Sequence, residues 1–323
     1  MPLIYITRNI PGGAIESLKE KGFEMDINLK DEPLTREELK SKLSEKKYEG
    51  ILSLLTDKID AEIFDVAPSL KIVANYAVGF NNIDLEEAKK RGIVVTNTPG
   101  DLTDSVAEHT FAMMLILSHR VLEGDRFVRD GKYNGWDPNL LLGNEIKGRT
   151  LALVGAGRIG SRVAYHAVRG FGMKVEYYDV KRNEEFEKEF GAIYNDSVES
   201  ILPKADFVSL HVPLLDSTRH LMNKERISMM KDSAFLINTS RGAVIDEDAL
   251  VLALQSGVIR GAGLDVYENE PKLSHGLSEL KNVILTPHIA SATEYARAEM
   301  ARLAFENLSD FFDGKGPKNV VNK

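Results

Sequence analysis

Three segments of the 323-residue chain each bring one chemically versatile side chain to the end of a predicted strand: Asn238-Thr-Ser-Arg241-Gly242, Asp265-Val-Tyr-Glu-Asn-Glu270-Pro271 and Thr286-Pro-His288-Ile-Ala-Ser291. In an open doubly wound sheet, ligands bind just beyond the carboxyl ends of the strands, so these turns are expected to line one crevice. Arg241, Glu270 and His288 would meet there. Hydride reduction of a 2-keto acid needs a cation for the carboxylate, a proton donor for the carbonyl oxygen and a group that holds and charges the donor, and this set supplies one of each. The planar fork of Arg241 suits a carboxylate bidentately. His288 titrates near neutrality and can both give and take the proton, while a neighbouring Glu270 would favour the imidazolium and fix the ring. Taken singly, each is better read as an ordinary loop residue; the joint placement points to catalysis. The other histidines, His109, His119, His166, His220 and His275, lack a comparable carboxylate–histidine context and read as structural.

The strongest local signal is Leu151-Ala-Leu-Val-Gly155-Ala-Gly157-Arg-Ile-Gly160, an apolar strand that runs into G-x-G-x-x-G and then a helix. In that pattern Gly155 allows the tight turn, Gly157 lets backbone approach a pyrophosphate and Gly160 permits close packing of helix on strand. The helix N-terminus supplies N–H donors to the anion. Asp179 follows nineteen residues after Gly160, at the end of Val175-Glu-Tyr-Tyr-Asp179, where a carboxylate can bond the adenosine ribose hydroxyls. A 2′-phosphate would meet its charge, so NAD is favoured; Lys181 and Arg182 could offset that repulsion, which keeps NADP open. A plainer reading of Asp179 is a solvated strand end.

Elements must exist to position these groups. Short β-branched runs alternate with helical patterns through Leu3–Ile6, Gly13–Lys21, Gly50–Leu54, Ala61–Val66 and Leu70–Ala74, which argues for a parallel sheet covered by helices. A second series begins at Thr150–Val154 and continues through Lys174–Tyr178, Phe207–Leu210, Ala234–Asn238, Gly261–Asp265 and Val283–Leu285. Between the two series lie the Thr96–Gly100 turn and a long helical stretch from Thr103 to about Asp130 that could bridge the domains. After Pro287, Thr293 to Phe312 carries Met300, Leu303, Ala304 and Leu308 at helical spacing and could return to the first domain.

Bulk properties remove competing readings. The length suits two domains, and 43% hydrophobic with 28% charged residues is globular composition. Net charge is −8 without a dense Lys/Arg run, which argues against nucleic acid as partner. No cysteine is present, so disulfides, thiolate nucleophiles and cysteine metal sites are excluded, and no metal is expected. The longest apolar stretch, Thr110 to Ser118, is half a membrane span and reads as a buried helix. With no signal-peptide pattern at the N-terminus, a cytoplasmic, membrane-free protein is expected. H-E-x-x-H, G-x-S-x-G, P-loop and EF-hand patterns are missing, which leaves metallohydrolase, serine hydrolase and kinase readings without support.

The chain resembles the D-isomer-specific 2-hydroxyacid dehydrogenases over nearly its whole length. The resemblance rests on Val78-Gly79-Phe-Asn-Asn-Ile-Asp84, Asn97-Thr-Pro-Gly100, Thr103-Asp-Ser-Val-Ala-Glu-His109, Gly155–Gly160, His211-Val-Pro213, Asn238–Gly242, Asp265–Pro271 and Thr286–Ser291. It implies Arg241, Glu270 and His288 as catalytic trio with His288 as acid/base, and backbone N–H groups of the Val78-Gly79 loop for the substrate carboxylate. Thr103, Arg158, Ile159, Asp179, His211, Pro213, Thr218, Thr239, Ser240, Asp265, His288 and Ala290 would join Gly155, Gly157 and Gly160 around the cofactor, and Leu54 and Trp136 would meet the substrate. The implied architecture is α/β with two doubly wound parallel-sheet domains, a Rossmann NAD-binding domain over 99–290 inserted into a flavodoxin-like substrate domain over 1–98 and 291–323, a hinge between them, and a homodimer. Gly135-Trp136-Asp137-Pro138 and Leu52–Asp60 look most like glyoxylate and hydroxypyruvate reductases; D-3-phosphoglycerate dehydrogenase and other D-2-hydroxyacid dehydrogenases are alternatives. A dinucleotide-sensing binding protein without turnover is the reading from another class, and the intact trio argues against it.

Overall fold

The computed structural model describes residues 2–30, 32–100 and 102–323. The chain divides into two compact units, Met1–Leu102 with Ala292–Lys323, and Thr103–Ser291.

In the first unit, β1 (Leu3–Ile6), β2 (Glu24–Ile27), β3 (Gly50–Ser53), β4 (Ile72–Asn75) and β5 (Val94–Thr96) form a parallel sheet ordered β2-β1-β3-β4-β5. That order is the flavodoxin-like doubly wound pattern. Every residue of β3 and β4 is buried, because crossover helices cover both faces, so these strands read as continuous apolar runs. Edge strand β2 carries Glu24 and Asp26 and has no fully buried residue, which explains why its apolar pattern is too weak to see in sequence. Helix Glu294–Phe312 begins where Thr293 Oγ1 accepts from Ala296 N and buries Met300, Ala304 and Leu308 in this unit.

In the second unit, seven parallel strands follow: β6 (Thr150–Val154), β7 (Lys174–Tyr178), β8 (Ile193–Tyr194), β9 (Phe207–Leu210), β10 (Phe235–Asn238), β11 (Gly261–Leu264) and β12 (Val283–Leu285), ordered β12-β11-β10-β9-β6-β7-β8. The order reverses between β6 and β9, the topological switch point of a Rossmann sheet. Successive side chains point to opposite faces: Ala152, Val154, Val208 and Leu236 enter one core with Ile201, Leu250 and Leu254, while Leu151, Leu153, Phe207 and Ile237 enter another with Phe111 and Met114.

One expectation is corrected here. The stretch from Thr103 to Asp130 is two helices, Leu102–Ser118 and Val121–Arg129, broken at Arg120, whose φ is 55°. No glycine or proline marks the break, so local sequence is silent. A distant loop makes it instead: Asn144 N donates to Ser118 O at 2.9 Å, and a Cβ on Gly143 would stand 2.3 Å from that same oxygen. Among the described residues no helix is long and apolar enough to cross a membrane, and no group of acids and histidines could hold a metal ion.

Candidate active site

Strand β6 delivers the glycine loop to the switch point. Gly155 has φ 100°, and a Cβ there would lie 2.7 Å from His211 O; a Cβ on Gly160 would lie 2.1 Å from Gly155 O. Both glycines are therefore required by packing. Gly157, the N-cap of helix Arg158–Tyr165, is different, because a Cβ on it would meet nothing within 4 Å. The space above the helix N-terminus is open backbone cradle, with Arg158 exposed and Ile159 partly covered beside it, and a pyrophosphate fits such a cradle.

Asp179 Oδ2 accepts from Ala156 N at 2.8 Å, so the acid just beyond β7 braces the glycine loop. The basic pair beyond it is unequal. Arg182 is clamped by Glu187 at 2.9 and 2.8 Å, whereas Lys181 is exposed. After β9, burial pushes the His211 imidazole down to about 4, so the ring is neutral, and it shares a 2.8 Å hydrogen bond with Ser209 Oγ. Thr218 Oγ1 donates to Pro213 O at 2.6 Å and closes the loop between them.

The three segments that open the sequence reading do meet at the ends of β10, β11 and β12. Asn238 shapes the first: its Nδ2 donates to Arg241 O at 2.9 Å and its Oδ1 accepts from Ser240 N and Oγ at 3.0 and 2.8 Å. Thr239 Oγ1 lies 3.2 Å from Thr110 Oγ1 on helix Leu102–Ser118. Gly242 packs so closely that a Cβ would stand 1.8 Å from Tyr267 C, which lays the Arg241 segment directly on the loop that carries Glu270. In that loop Tyr267 N donates to Glu270 Oε1 at 3.0 Å, leaving Oε2 3.0 Å from His288 Nδ1.

His288 sits at φ 55°, and its N–H donates to Asp265 O at 2.9 Å. Asp265, fully buried, accepts from Thr286 Oγ1 at 2.6 Å, Ile289 N at 2.8 Å and Ala290 N at 2.7 Å. Both its oxygens thus hold the His288 turn in shape, which accounts for an unfavourable backbone conformation at a non-glycine residue. Burial pushes the Glu270 carboxyl up, but the hydrogen bond and charge of His288, the Tyr267 N–H and the Arg241 charge outweigh it and hold Glu270 below the usual carboxylate value. Burial pulls the Arg241 guanidinium below its ordinary value, with Glu270 opposing; a guanidinium remains protonated regardless.

Residues 111–290 match the model of the D-isomer specific 2-hydroxyacid dehydrogenase NAD-binding domain. The chain belongs to the D-isomer specific 2-hydroxyacid dehydrogenases. It is accordingly an oxidoreductase that uses NAD(P). This dehydrogenase is 48% identical over 326 residues to the glyoxylate reductase of Thermococcus litoralis, covering 100% of this chain and 97% of the relative. A crystal structure from Thermus thermophilus superposes with TM-score 0.91 and 42% identity over 99% of each chain. The Sinorhizobium meliloti NADPH-dependent glyoxylate/hydroxypyruvate reductase, solved with NADP and malonate, superposes with TM-score 0.86 and 33% identity over 99% of this chain and 96% of that one.

Two histidines of the dehydrogenase correct the sequence reading. His220 Nε2 lies 2.6 Å from Glu268 Oε1, and His109 Nε2 lies 3.6 Å from Asp265 Oδ1 and 3.1 Å from Thr286 Oγ1. Both have carboxylate partners far along the chain, which is why neighbouring residues gave no signal. In the other unit, side-chain amides shape the expected substrate loops: Asn97 Nδ2 donates to Val78 O at 2.7 Å, Asn75 Nδ2 to Gly79 O at 2.9 Å and Asn82 Nδ2 to Leu54 O at 3.1 Å. Asp57, whose carboxyl is pushed up by burial, accepts from Leu54 N at 2.8 Å. Trp136 is 83% exposed on a loop of the second unit in which residues 131–139 are all exposed.

Proposed function

We propose that the protein reduces a small 2-keto acid, glyoxylate or hydroxypyruvate, to the corresponding 2-hydroxy acid, glycolate or D-glycerate, at the expense of NADH. The observation that carries this reading is the His288 Nδ1–Glu270 Oε2 contact of 3.0 Å, with the partly buried Arg241 charge acting on the same carboxylate. A bound nicotinamide supplies the hydride to the carbonyl carbon. His288 gives the carbonyl oxygen a proton from Nε2, the ring nitrogen not engaged with Glu270. Glu270 stays ionised at neutral pH and orients the ring through Nδ1, so that Nε2 faces the substrate oxygen. Arg241 holds the substrate carboxylate through its fork.

Gly155, Gly157, Gly160 and the helix N-terminus would hold the pyrophosphate, with Asp179 on the ribose. With Arg182 already clamped by Glu187, Lys181 alone opposes Asp179, which supports NADH over NADPH. Glyoxylate and hydroxypyruvate are the substrates named for its relatives. A cytoplasmic homodimer completes the reading: Val121, Val128, Tyr133, Trp136 and Leu142 are all at least half exposed and offer an apolar face to a second copy.

The test mixes the protein with NADH or NADPH and a panel of glyoxylate, hydroxypyruvate, 3-phosphohydroxypyruvate and pyruvate, and follows oxidation of the reduced nicotinamide. Fastest turnover on either of the first two supports the proposal. Preference for the phosphorylated acid would make it a phosphoglycerate dehydrogenase, and no turnover on any would leave a dinucleotide-binding protein.

A further inference from the structure

The two segments that carry Arg241 and Glu270 are joined by a residue outside the trio. His220, at φ 50°, donates its backbone N–H to Ala243 O at 2.8 Å and brings Nε2 to 2.6 Å from Glu268 Oε1. An ionised carboxylate only accepts, so Nε2 carries the proton. One residue therefore grips the Arg241–Val244 segment by its main chain and the Tyr267–Glu270 loop by its ring.

Beneath this contact lies a second clamp. Glu247 is 3% exposed at the start of helix Glu247–Gln255, and its carboxylate accepts from Glu268 N at 2.8 Å and from Ser274 N at 2.7 Å, the two ends of the loop that contains Glu270. Glu268 returns the bond, accepting from Glu247 N at 3.4 Å. Two acids this close repel, and the donors that face Glu268 Oε1 are the His220 ring N–H at 2.6 Å and the Arg219 guanidinium at 3.9 Å. A buried Glu247 carboxylate with the partly buried Glu268 beside it would be costly as mere filler, since apolar residues pack such a loop without desolvating charge.

We propose that His220, Glu268 and Glu247 form a positioning latch that sets the Glu270 carboxylate against His288 and keeps the Arg241 segment in register with it. None of the three is a catalytic residue. The inference rests on the reading of Arg241, Glu270 and His288 given above, and it adds that the pair geometry is imposed by a second, independent histidine–carboxylate contact.

The experiment compares His220→Ala, His220→Gln, Glu268→Gln and Glu270→Gln in the full-length enzyme, measuring kcat, KM for the keto acid, NADH affinity by fluorescence titration, and the pH profile of reduction. In His220→Ala, kcat is expected to fall by roughly 10- to 100-fold, the scale of a misplaced catalytic group. NADH affinity should stay unchanged and the alkaline limb should move toward its position in Glu270→Gln. His220→Gln, whose amide keeps a donor near the Nε2 position, should restore most of the rate, and Glu268→Gln, which keeps an acceptor, should lie between. Wild-type kcat and an unmoved limb in His220→Ala would overturn the latch, provided Glu270→Gln itself shifts the limb. A loss in His220→Ala that His220→Gln does not relieve and that follows loss of folded protein also overturns it. An unmoved limb in Glu270→Gln, by contrast, sinks the reading of the trio.

Discussion

The loops after β10, β11 and β12 and the segment from Val121 to Leu142 belong to the same unit and are built on opposite plans. In the first, nearly every backbone turn is tied down by a side chain from elsewhere: Asp265 holds residues 286–290, Asn238 holds Arg241, and Glu247 holds both ends of the Glu270 loop. In the second, helix Val121–Arg129 buries no residue, and Val121, Val128, Tyr133, Trp136 and Leu142 face outward. A nine-residue helix with no buried residue is too short to be stable by itself. The difference teaches where each region gets its order: the loops after β10, β11 and β12 are held by side chains of their own unit, while the Val121–Leu142 segment leaves its apolar side chains outside the core.

Five substitutions would break or sharpen that contrast. The largest effect is expected from His288→Ala, which should lower kcat by roughly 100- to 10,000-fold in both directions while dinucleotide affinity persists, because the acid/base group is lost and the cradle is not. Arg241→Ala should follow closely, costing about 2–5 kcal/mol of transition-state binding by leaving a carboxylate unpaired, with Arg241→Lys a partial rescue. Steady-state kinetics alongside calorimetric NADH binding separates these outcomes; near-normal turnover in either alanine variant would remove that residue from the mechanism.

Glu270→Gln keeps shape and removes charge, so the alkaline limb of reduction and the acid limb of oxidation should shift to lower pH together. The same substitution tests stability. Glu270 is depressed in the folded protein relative to its ordinary 4.5, so its contribution is present above that pH and is lost as pH falls through the lower folded value. The Tm gap between wild type and Glu270→Gln should therefore be seen at pH 7 and shrink below about 4.5, and a gap independent of pH would assign Glu270 a packing role only.

A smaller change is expected from Asp179→Ala, which should narrow the preference for NADH over NADPH by removing repulsion toward a 2′-phosphate. Ala156 N also loses its acceptor, so some affinity for both cofactors should go. Comparison of kcat/KM for the two cofactors decides it, and a wild-type preference for NADPH would show that Lys181 outweighs the acid. Trp136→Ala should do least to protomer stability, within about 0.5 kcal/mol for so exposed a side chain, while altering selectivity among 2-keto acids. A Tm loss that grows on dilution would instead place Trp136 in subunit association, and one independent of concentration would mean that it packs within its own chain.

Much of this architecture is legible in the sequence. The glycine loop is legible because strand, turn and helix N-terminus are contiguous, and its three glycines answer to local geometry at Gly155, Gly157 and Gly160. Arg241, Glu270 and His288 are legible because parallel strands all present their carboxyl ends to one edge, so identifying the strands already gathers the turns. The break at Arg120 was invisible, since the loop that makes it lies more than twenty residues away. His220 looked inert for the same reason: its partner Glu268 is 48 positions on.

The sequence alone determined which chemistry is available, the order of strands and helices, and the dinucleotide loop, because these depend on side-chain type, on periodicity and on groups a few bonds apart. The tertiary structure alone decided which acid faces which histidine. Glu268 and Glu270 are two residues apart on one loop, yet one meets His220 and the other His288, a choice made by the packing of Gly242 on Tyr267 and by the clamp of Glu247. Such contacts join segments distant in the chain, and their geometry is fixed only when the sheet has brought those segments within hydrogen-bonding distance.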